Sequence, residues 1–343
     1  MIIISATNVR GLGALKLVGT ILENHLPHKR YLILQNILNP VLETTHHTVF
    51  INKYKIPYVF FRIIEIFLLH KYIKLNIVRE FLVLGDIPYY KIPNQIVLVH
   101  NPHIVKPFKK LIIERKYREI INQLIFRFNI RYVEKFIVQT KHMKSSLIEA
   151  FLIKPDAVRV MSFPTPISVS GKMQGRKPTV DDDKLILFYP SRRYPHKNHN
   201  LLMKISDEYW DNLDIKICLT IKEEKKLQKK CIKFLGELSQ KQVVSFYQKS
   251  HVLLFLSQSE TLGLPLIEAM YFNLFIIAPN LPYAKEVCGD RAIYFEPNDI
   301  ASLESAMRVV RDKILSGAQP TYTDLLEKLH VKPTGFLEKM IDA

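Results

Sequence analysis

The stretch of sequence that decides the fold reads Val252-Leu-Leu-Phe-Leu-Ser-Gln-Ser-Glu-Thr-Leu-Gly-Leu-Pro-Leu-Ile-Glu-Ala-Met270. It opens with five apolar residues, Val252–Leu256, which is typical of a strand buried on both faces of a parallel sheet. Pro265 suits the first turn of a helix, and Gly263 just before it permits a close approach to the backbone. The free N–H groups at a helix start favour an anion. The stretch therefore predicts a strand, a loop that cradles a diphosphate, and a helix.

Two glutamates frame this predicted cradle. The cradle consists of Thr261, Leu262, Gly263 and Leu264, with Glu260 before it and Glu268 one turn into the helix. A carboxylate accepts paired hydrogen bonds from neighbouring hydroxyls, such as those of ribose or a hexose. Either glutamate alone is more simply explained as a solvated residue near a helix start. Both of them beside a diphosphate cradle indicate a site for a sugar joined to a diphosphate.

A second motif, Tyr189-Pro-Ser-Arg-Arg-Tyr-Pro-His-Lys-Asn198, follows another apolar run. Arg192 and Lys197 are five residues apart, and Arg193 is the alternative to Arg192. Two cations at a strand end can neutralise the charge that builds on a departing diphosphate. This spacing alone predicts only a solvated loop, but together with the downstream motif it favours a functional role.

Short apolar runs alternate with helical patterns along nearly the whole chain. The predicted strands are Ile2–Ser5, Tyr31–Gln35, Glu80–Leu84, Gln95–His100, Lys135–Gln139, Ala157–Ser162, Leu185–Tyr189, Ile215–Thr220, Ile232–Gly236, Val252–Leu256, Phe275–Ala278 and Ala292–Phe295. Helical spacing is found at Asn198–Tyr209, Gln240–Ser250 and Pro265–Tyr271. Such alternation predicts a doubly wound α/β architecture.

The chain has 343 residues, which suggests two domains at roughly 150 residues each. The stretch 166–183 is rich in Pro, Gly and Ser and lacks periodicity, so we interpret it as a linker. We therefore predict a domain over 1–165, a second domain over 184–318, and a helical tail over 319–343. Two Rossmann-like domains facing each other across a cleft would be the result, with ligands beyond the carboxyl ends of the strands.

These motifs resemble those of the retaining glycosyltransferases of the GT-B fold, family 4 (group 1), of the bacterial O-antigen, capsule and lipopolysaccharide type. Glu260 and Glu268 match the family's E-x7-E signature. Arg192 and Lys197 match its G-R-x4-K segment, although Ser191 replaces the usual Gly. Further matches are the stretch 234–250, which contains Gly236 at the family's nucleobase pocket, and the stretches 282–290 and 294–297. The resemblance covers about 185–300.

The resemblance implies a role for each matching residue. Glu268 would bind the ribose hydroxyls of a nucleotide-sugar donor, and Glu260 the hydroxyls of the donor sugar. Arg192 and Lys197 would stabilise the diphosphate leaving group. The family retains the anomeric configuration and uses neither a metal nor a cofactor, so we expect none here.

The first domain matches more loosely. Ser5–Gly13 follows the first strand and is similar to the family's Gly-rich loop, which implies that Gly13 faces the donor; an ordinary strand-to-helix turn is the alternative. His100 ends a predicted strand, where many family members place a His beside the donor sugar. His103 is the rival candidate.

Other site types find little support in the sequence. The cysteines Cys218, Cys231 and Cys288 form no C-x-x-C pair, which argues against a disulfide scaffold and a zinc site. The N-terminus lacks the pattern of a signal peptide. No apolar stretch reaches the roughly 20 residues of a membrane span.

Charge is distributed unevenly. Residues 1–165 hold 24 Lys or Arg and 10 Asp or Glu, a net +14, whereas residues 166–343 hold 25 and 22, a net +3. The stretch 106–118, followed by the apolar residues Ile120, Ile121, Leu124 and Phe128, predicts a basic amphipathic helix, and 58–70 a more apolar one. Core-facing helices with solvated lysines are the alternative. An anionic membrane surface is the expected partner of the basic half. No nucleic-acid signature is present, so we do not expect nucleic acid as a partner.

We therefore predict a metal-independent, retaining glycosyltransferase of hexosyltransferase type. It would use a nucleotide-sugar donor and a lipid-linked or surface-polysaccharide acceptor, and it would lie peripherally on the inner face of the cytoplasmic membrane. The alternatives are a nucleotide-sugar epimerase of the same fold, or a basic noncatalytic protein that binds nucleic acid or membranes.

Overall fold

The computed structural model describes residues 2–9, 12–23, 31–36, 48–52, 65–67, 69–70, 73, 78, 80–163, 184–211, 214–329 and 336–342. The chain forms two compact units. Unit 1 comprises Met1–Pro166 with His330–Ala343, and unit 2 comprises Ile167–Leu329. The stretch 319–343 is thus divided between the two units at residue 329. The predicted linker over 166–183 lies outside the described residues.

Unit 1 is built on a seven-stranded parallel sheet with the order β3-β2-β1-β4-β5-β6-β7. Its strands are β1 (Ile2–Ser5), β2 (Tyr31–Asn36), β3 (Thr48–Asn52), β4 (Glu80–Val83), β5 (Gln95–Val99), β6 (Val133–Val138) and β7 (Val158–Val160). Its helices are α1 (Leu12–Glu23), α2 (Phe108–Ile113), α3 (Tyr117–Asn129), α4 (Lys141–Phe151) and, at the far end of the chain, α11 (Phe336–Ile341).

Unit 2 is built on a six-stranded parallel sheet with the order β10-β9-β8-β11-β12-β13. Its strands are β8 (Leu185–Tyr189), β9 (Ile215–Leu219), β10 (Ile232–Phe234), β11 (Val252–Leu254), β12 (Phe275–Pro279) and β13 (Ile293–Phe295). Its helices are α5 (Asp207–Asp211), α6 (Gln240–Lys249), α7 (Leu264–Tyr271), α8 (Pro282–Cys288), α9 (Ile300–Leu315) and α10 (Thr323–Leu329).

Both sheets are covered on their two faces. In unit 1, Ile2 and Ile4 pack into an apolar cluster with α1 and α11, whereas Ile3 packs into the opposite cluster with Phe126 of α3 and Leu147 of α4. Because successive strand residues point to opposite faces, a continuous apolar run is what such burial requires. The predicted doubly wound α/β architecture is confirmed.

Three local predictions were incomplete or wrong. Strand β3 was missed, since it is a short edge strand defined by its pairing with β2. The stretch 198–209 is a 3-10 segment, His199–Lys204, followed by α5, not one helix. The basic stretch 106–118 is also not one helix: α2 ends where Arg115 adopts a left-handed φ of 53°, and Lys116 donates its N–H to the carbonyl of Leu111. Most of the stretch 58–70 lies outside the described residues.

Strand order fixes where ligands can bind. In unit 1 the order reverses between β1 and β4, and in unit 2 between β8 and β11. Open parallel sheets bind ligands beyond the carboxyl ends of their strands at such reversals, because the loops on either side diverge there. In the described part of the chain, no helix is both long and apolar enough to span a bilayer.

Candidate active site

Both sequence motifs of unit 2 lie at its reversal point. The loop after β8 carries Arg192 and Lys197, and the loop after β11 carries Glu260. The two loops are joined by their backbones, because the N–H of Gln258 donates to the carbonyl of His196 over 2.7 Å. The fold therefore brings together residues that are more than sixty positions apart in sequence.

Lys197 and Glu260 form the centre of this arrangement. The Lys197 ammonium donates to the Glu260 carboxylate, and the Ser257 hydroxyl donates to the same Oε1 atom over 2.6 Å. Tyr189 donates its buried hydroxyl to the carbonyl of Lys197 over 2.7 Å, and Tyr283 donates to the carbonyl of Ser257. The cation and the carboxylate neutralise each other, so a ligand that brings both a diphosphate and hydroxyls could replace this pair with its own contacts.

Glu268 is held by a residue that the sequence motifs did not single out. Its side chain on α7 is 7% exposed, and Tyr247 of α6 donates its hydroxyl to Oε2 over 2.7 Å. Burial, and then the charge of Glu268, raise the pKa of Tyr247 well above its ordinary value. Tyr247 therefore remains a hydrogen-bond donor at every physiological pH. Its only sequence signal was a tyrosine in an amphipathic helix.

The predicted cradle forms the start of α7. Gly263 has a left-handed φ of 74° and immediately precedes the helix. A Cβ atom there would lie 3.0 Å from Cδ1 of Leu266, so both the conformation and the space favour glycine. Thr261 and Leu262 are buried, and Leu264 opens the first turn. This backbone geometry suits an anion at the helix start.

The two neighbouring arginines have different surroundings. Arg193 donates to both carboxylate oxygens of Glu224, over 2.7 and 3.1 Å, and to Asn200 over 2.5 Å. Arg192 is 41% exposed, and its Nη2 lies 3.6 Å from Glu237, which follows Gly236 after β10. The buried Nε of Arg192 has no hydrogen-bond partner among the described residues. Arg192 is therefore the guanidinium with donors available to a ligand.

Ser191, where the resembling family has glycine, is fixed in a small network. Its N–H donates to Oγ1 of Thr220 over 2.8 Å, and its hydroxyl lies 3.0 Å from Nε2 of the buried His199. Burial, and then the charge of Arg193, lower the pKa of His199 to about 4. The imidazole is therefore neutral at physiological pH, and Ser191 sets the path of the loop that carries Arg192.

The corresponding edge of unit 1 is also polar. After β1, the side chain of Asn8 donates to the carbonyl of Gly85 over 2.8 Å. A Cβ atom on Gly85 would lie 2.8 Å from that of Asn8, so only glycine allows these loops to meet. The buried Glu65 accepts from Thr7 over 2.6 Å and from Tyr89. Gly13 lies in the first turn of α1, and residues 10 and 11 are outside the described range.

His100 directly follows β5 and lies beside a buried carboxylate that the sequence motifs did not indicate. Oδ1 of Asp86 accepts the N–H groups of His100 and Asn101 over 2.7 and 3.0 Å, and Nδ1 of His100 lies 3.4 Å away. Burial raises the pKa of Asp86, although the charge of His100 opposes this. His103 lies one turn further on, where burial and then the charges of Lys116 and Lys106 lower its pKa. The structure thus sets a carboxylate beside His100 and two cations near His103.

Metal ligands do not cluster in the part of the chain that the structure describes: no three His, Cys, Asp or Glu side chains there could hold one ion. Cys218, Cys231 and Cys288 are buried and form no disulfide.

Residues 174–313 match the family described as Glycosyl transferases group 1. This part of the chain is similar to the group 1 glycosyltransferases. Over 108 residues, the chain is 37% identical to the serotype-specific mannosyltransferase WbdA of Escherichia coli. The matched stretch makes up 31% of this chain and 13% of that protein. Over 124 residues, the chain is 31% identical to the O-antigen chain mannosyltransferase RfbU of Salmonella typhimurium, 34% of this chain and 35% of that protein. The chain thus spans about a third or less of these relatives.

Solved structures resemble this chain over its whole length. WaaG, a glycosyltransferase involved in lipopolysaccharide biosynthesis, superposes with a TM-score of 0.70 at 10% identity and covers 100% of this chain and 99% of its own. Sucrose-phosphate synthase from Thermosynechococcus elongatus superposes with a TM-score of 0.68 at 12% identity, covering 99% and 98%. At such identities the likeness establishes the fold, which is GT-B. The predicted GT-B fold is confirmed, and so is the predicted resemblance to group 1 glycosyltransferases, over residues 174–313.

Proposed function

We propose that this protein transfers a hexose from a nucleotide-sugar donor to a lipid-linked or surface-polysaccharide acceptor, with retention of configuration and without a metal. The observation that carries the proposal is the Lys197–Glu260 pair at the reversal point of unit 2, within the stretch 174–313 that matches the group 1 family. Relatives named as mannosyltransferases support it, and they make a nucleoside-diphosphate mannose the first donor to test.

In the proposed reaction, the bond between the anomeric carbon and the diphosphate oxygen breaks, and the diphosphate leaves with the electron pair. Arg192 and Lys197 stabilise its charge, together with the backbone at the start of α7. The acceptor hydroxyl forms the new bond to the anomeric carbon, and its proton passes to the departing phosphate. Since the Arg, the Lys and the backbone N–H groups neutralise the diphosphate, no metal is needed for that purpose.

The carboxylates recognise hydroxyls in this proposal. Glu268, oriented by Tyr247, binds the ribose, and Glu260 turns from Lys197 to the sugar hydroxyls when the diphosphate engages that lysine. We assign to His100 the stabilisation of the positive charge that develops on the sugar ring, with His103 as the second candidate. Asp86 supports this assignment by orienting the chain there, since its Oδ1 accepts the N–H groups of His100 and Asn101.

The test is a screen of nucleotide sugars for release of nucleoside diphosphate, with and without a lipid-linked saccharide acceptor and in the presence of EDTA. We expect release that depends on the acceptor, survives EDTA and falls in Lys197→Ala. Lys204→Ala, at an exposed lysine of the following 3-10 segment, should retain it. An epimerised donor formed without acceptor would support the epimerase instead. If the anomeric proton signal in the NMR spectrum of the product shows the opposite configuration to that of the donor, retention would be contradicted.

We also propose that the chain works on the inner face of the cytoplasmic membrane and docks there through α2 and α3. Phe108, Ile112 and Ile113 of α2 are exposed. Exposed cations surround them: Lys109, Lys110, Arg115 and Arg118. Bulky apolar groups bordered by cations fit the headgroup region of an anionic bilayer, where each Lys or Arg contributes roughly 1 kcal/mol.

Helix α3 supports this docking most directly. Its apolar stripe, Tyr117, Ile121, Leu124 and Phe128, is between 41% and 66% exposed. These positions are spaced by four, three and four residues, so they share one face. The opposite face buries Asn122, Gln123 and Asn129 together with Phe126. A helix that buries amides and exposes bulky apolar side chains is reversed relative to an ordinary surface helix, which indicates a partner for the exposed face.

A further inference from the structure

Two of the buried amides of α3, Gln123 and Asn129, are hydrogen-bonded to the two loops that carry Asp86 and His100. Gln123 is 8% exposed, and its Nε2 donates to the carbonyls of Ile104 and Lys106 over 2.9 and 2.6 Å, with that of His103 at 3.2 Å. These residues directly follow His100 in the chain. The loop after β5 is therefore fastened to the inner face of α3.

The loop after β4 is fastened to the same helix. Nδ2 of Asn129 donates to the carbonyl of Pro88 over 2.9 Å, two residues after Asp86. Asp86 in turn binds the backbone N–H groups of His100 and Asn101. Hydrogen bonds thus join α3, the loop after β4 and the loop after β5 into one unit.

The chemistry of these amides argues for a positioning role. Burying an amide costs free energy that hydrogen bonds only offset, so an apolar residue at position 123 would serve helix packing at least as well. A glutamine whose Nε2 lies within hydrogen-bond distance of three backbone carbonyls of one loop instead fixes the shape of that loop. The outer face of the same helix is the apolar stripe.

We propose that Gln123 is a positioning residue that couples occupation of the apolar stripe by an anionic bilayer to the order of the loop 100–106, and so to the placement of His100. The proposal rests on the membrane docking proposed above. A surface that binds only the folded helix stabilises it by RT ln(1 + [L]/Kd). If the loop opens only together with α3, its amide exchange slows by the same factor.

The experiment compares amide hydrogen exchange of residues 100–106 with and without vesicles of mixed anionic and zwitterionic phospholipid. At a lipid concentration ten times the Kd, the wild type should exchange about 11-fold more slowly in this loop, as it does in α3 itself. Gln123→Met keeps the length of the side chain but donates no hydrogen bond. This variant should bind vesicles as tightly as the wild type, and its amide exchange in α3 should slow by the same factor. Its amide exchange in residues 100–106 should slow less than about 2-fold. Arg127→Lys, an exposed position on α3, is the matched control and should behave as the wild type.

Each failure has its own signature. Equal slowing of the loop in the wild type and in Gln123→Met would overturn the coupling while leaving the docking intact. A wild type that binds vesicles without slowing in the loop would do the same. Absence of vesicle binding by the wild type would overturn the docking and, with it, the coupling. If Gln123→Met does not fold, Asn129→Leu provides the same comparison at the second hydrogen bond between α3 and a loop. The amide exchange of residues 86–91, in the loop after β4, is then measured with and without vesicles.

Discussion

At the scale of single residues, the site of unit 2 consists of side chains that hold one another. Lys197 is paired with Glu260, and Glu268 with Tyr247. Arg193 is engaged by Glu224, which leaves Arg192 available. Removing one member of such a pair also changes the other, so variants are best interpreted in sets.

The two glutamates should differ in what they bind. Glu268→Ala removes a charged acceptor worth roughly 1.5–3 kcal/mol, so affinity for the nucleoside diphosphate should fall by one to two orders of magnitude. Tyr247→Phe should lower it less, because the carboxylate remains. Glu260→Ala should reduce turnover more than this affinity. Calorimetric titration with the free nucleoside diphosphate measures the three affinities, and steady-state kinetics measure the turnover of Glu260→Ala. Equal losses of affinity in Glu260→Ala and Glu268→Ala would refute the division of roles.

The two arginines should also separate. Arg192→Ala and Lys197→Ala should each lower kcat by about 10²-fold, because each removes a preorganised contact to the leaving group. Their combination should cost less than the product, since both act on one diphosphate. Arg193→Ala should leave kcat nearly unchanged and cost at most about 1 kcal/mol in stability, as expected for a partly exposed ion pair. Steady-state kinetics decide this, and a kcat loss confined to Arg193→Ala would reverse the assignment.

His199 makes unit 2 sensitive to acid. Its pKa is lowered to about 4 in the folded protein, against about 6.5 in the unfolded chain, so the unfolded state binds the proton first. The contribution of His199 to the free energy of unfolding is therefore fully retained above about pH 6.5. It is lost as the pH drops towards 4, by up to roughly 3 kcal/mol. His199→Gln should lack this loss. Urea unfolding of both proteins across that range measures it, and parallel pH curves would show that His199 is not the cause.

At the scale of elements, α3 is the unusual helix, because its apolar stripe faces outward. Replacing Leu124 and Phe128 with Gln should weaken vesicle binding even at high salt, where attraction between charges is screened. Leu315→Gln, an equally exposed leucine on α9, should bind as the wild type does. Sedimentation with anionic vesicles at low and high salt measures the difference. Unchanged binding by the double variant would remove the stripe from the docking surface.

The basic residues around the stripe should matter in a salt-dependent way. Gln in place of Lys106, Lys109, Lys110, Arg115, Lys116 and Arg118 removes six cations. Glu114, which pairs with Lys106 and Lys116, remains in this variant, so the net charge of residues 106–118 falls from +5 to −1 and the lost attraction is about 6 kcal/mol at most, less after screening. Binding to anionic vesicles should fall at low salt, and binding to neutral vesicles should stay negligible. Equal binding by this variant and the wild type at low salt would reduce these cations to a solvated face.

At the scale of the whole molecule, the chain ends in the unit where it began. Phe336 of α11 is buried in the core of unit 1 and lies 4.9 Å, between ring centroids, from Phe163. Phe336→Ala should destabilise unit 1 by about 3–5 kcal/mol, whereas Lys339→Ala on the exposed side of the helix should not. Affinity of unit 2 for the nucleoside diphosphate should be unchanged. Thermal unfolding with and without the nucleotide assigns each transition to a unit, because the nucleotide shifts only the transition of unit 2. An unchanged midpoint for the unit 1 transition in Phe336→Ala would contradict the prediction.

The sequence by itself determined the architecture and indicated the residues of the candidate donor site. Apolar runs that do not alternate can only be buried on both faces of a sheet, and Gly263 with Pro265 marks a strand-to-helix turn locally. The positions of Glu260, Arg192 and Lys197 were therefore predictable, because each lies in the segment that follows a strand, and that of Glu268 because it lies on the helix that this turn begins. Such signals are local and survive without knowledge of the rest of the chain.

Only the tertiary structure decided which of these residues meet and what supports them. The Lys197–Glu260 pair depends on β8 lying beside β11, and the contact of Asp86 with His100 depends on β4 lying beside β5. Periodicity predicted a helix near residue 120 but not which face it buries, since that depends on the loops its amides reach. Gln123, Asn129 and Tyr247 were missed for the same reason: a polar side chain gains its role from a partner distant in sequence, and the order of the strands sets that partner.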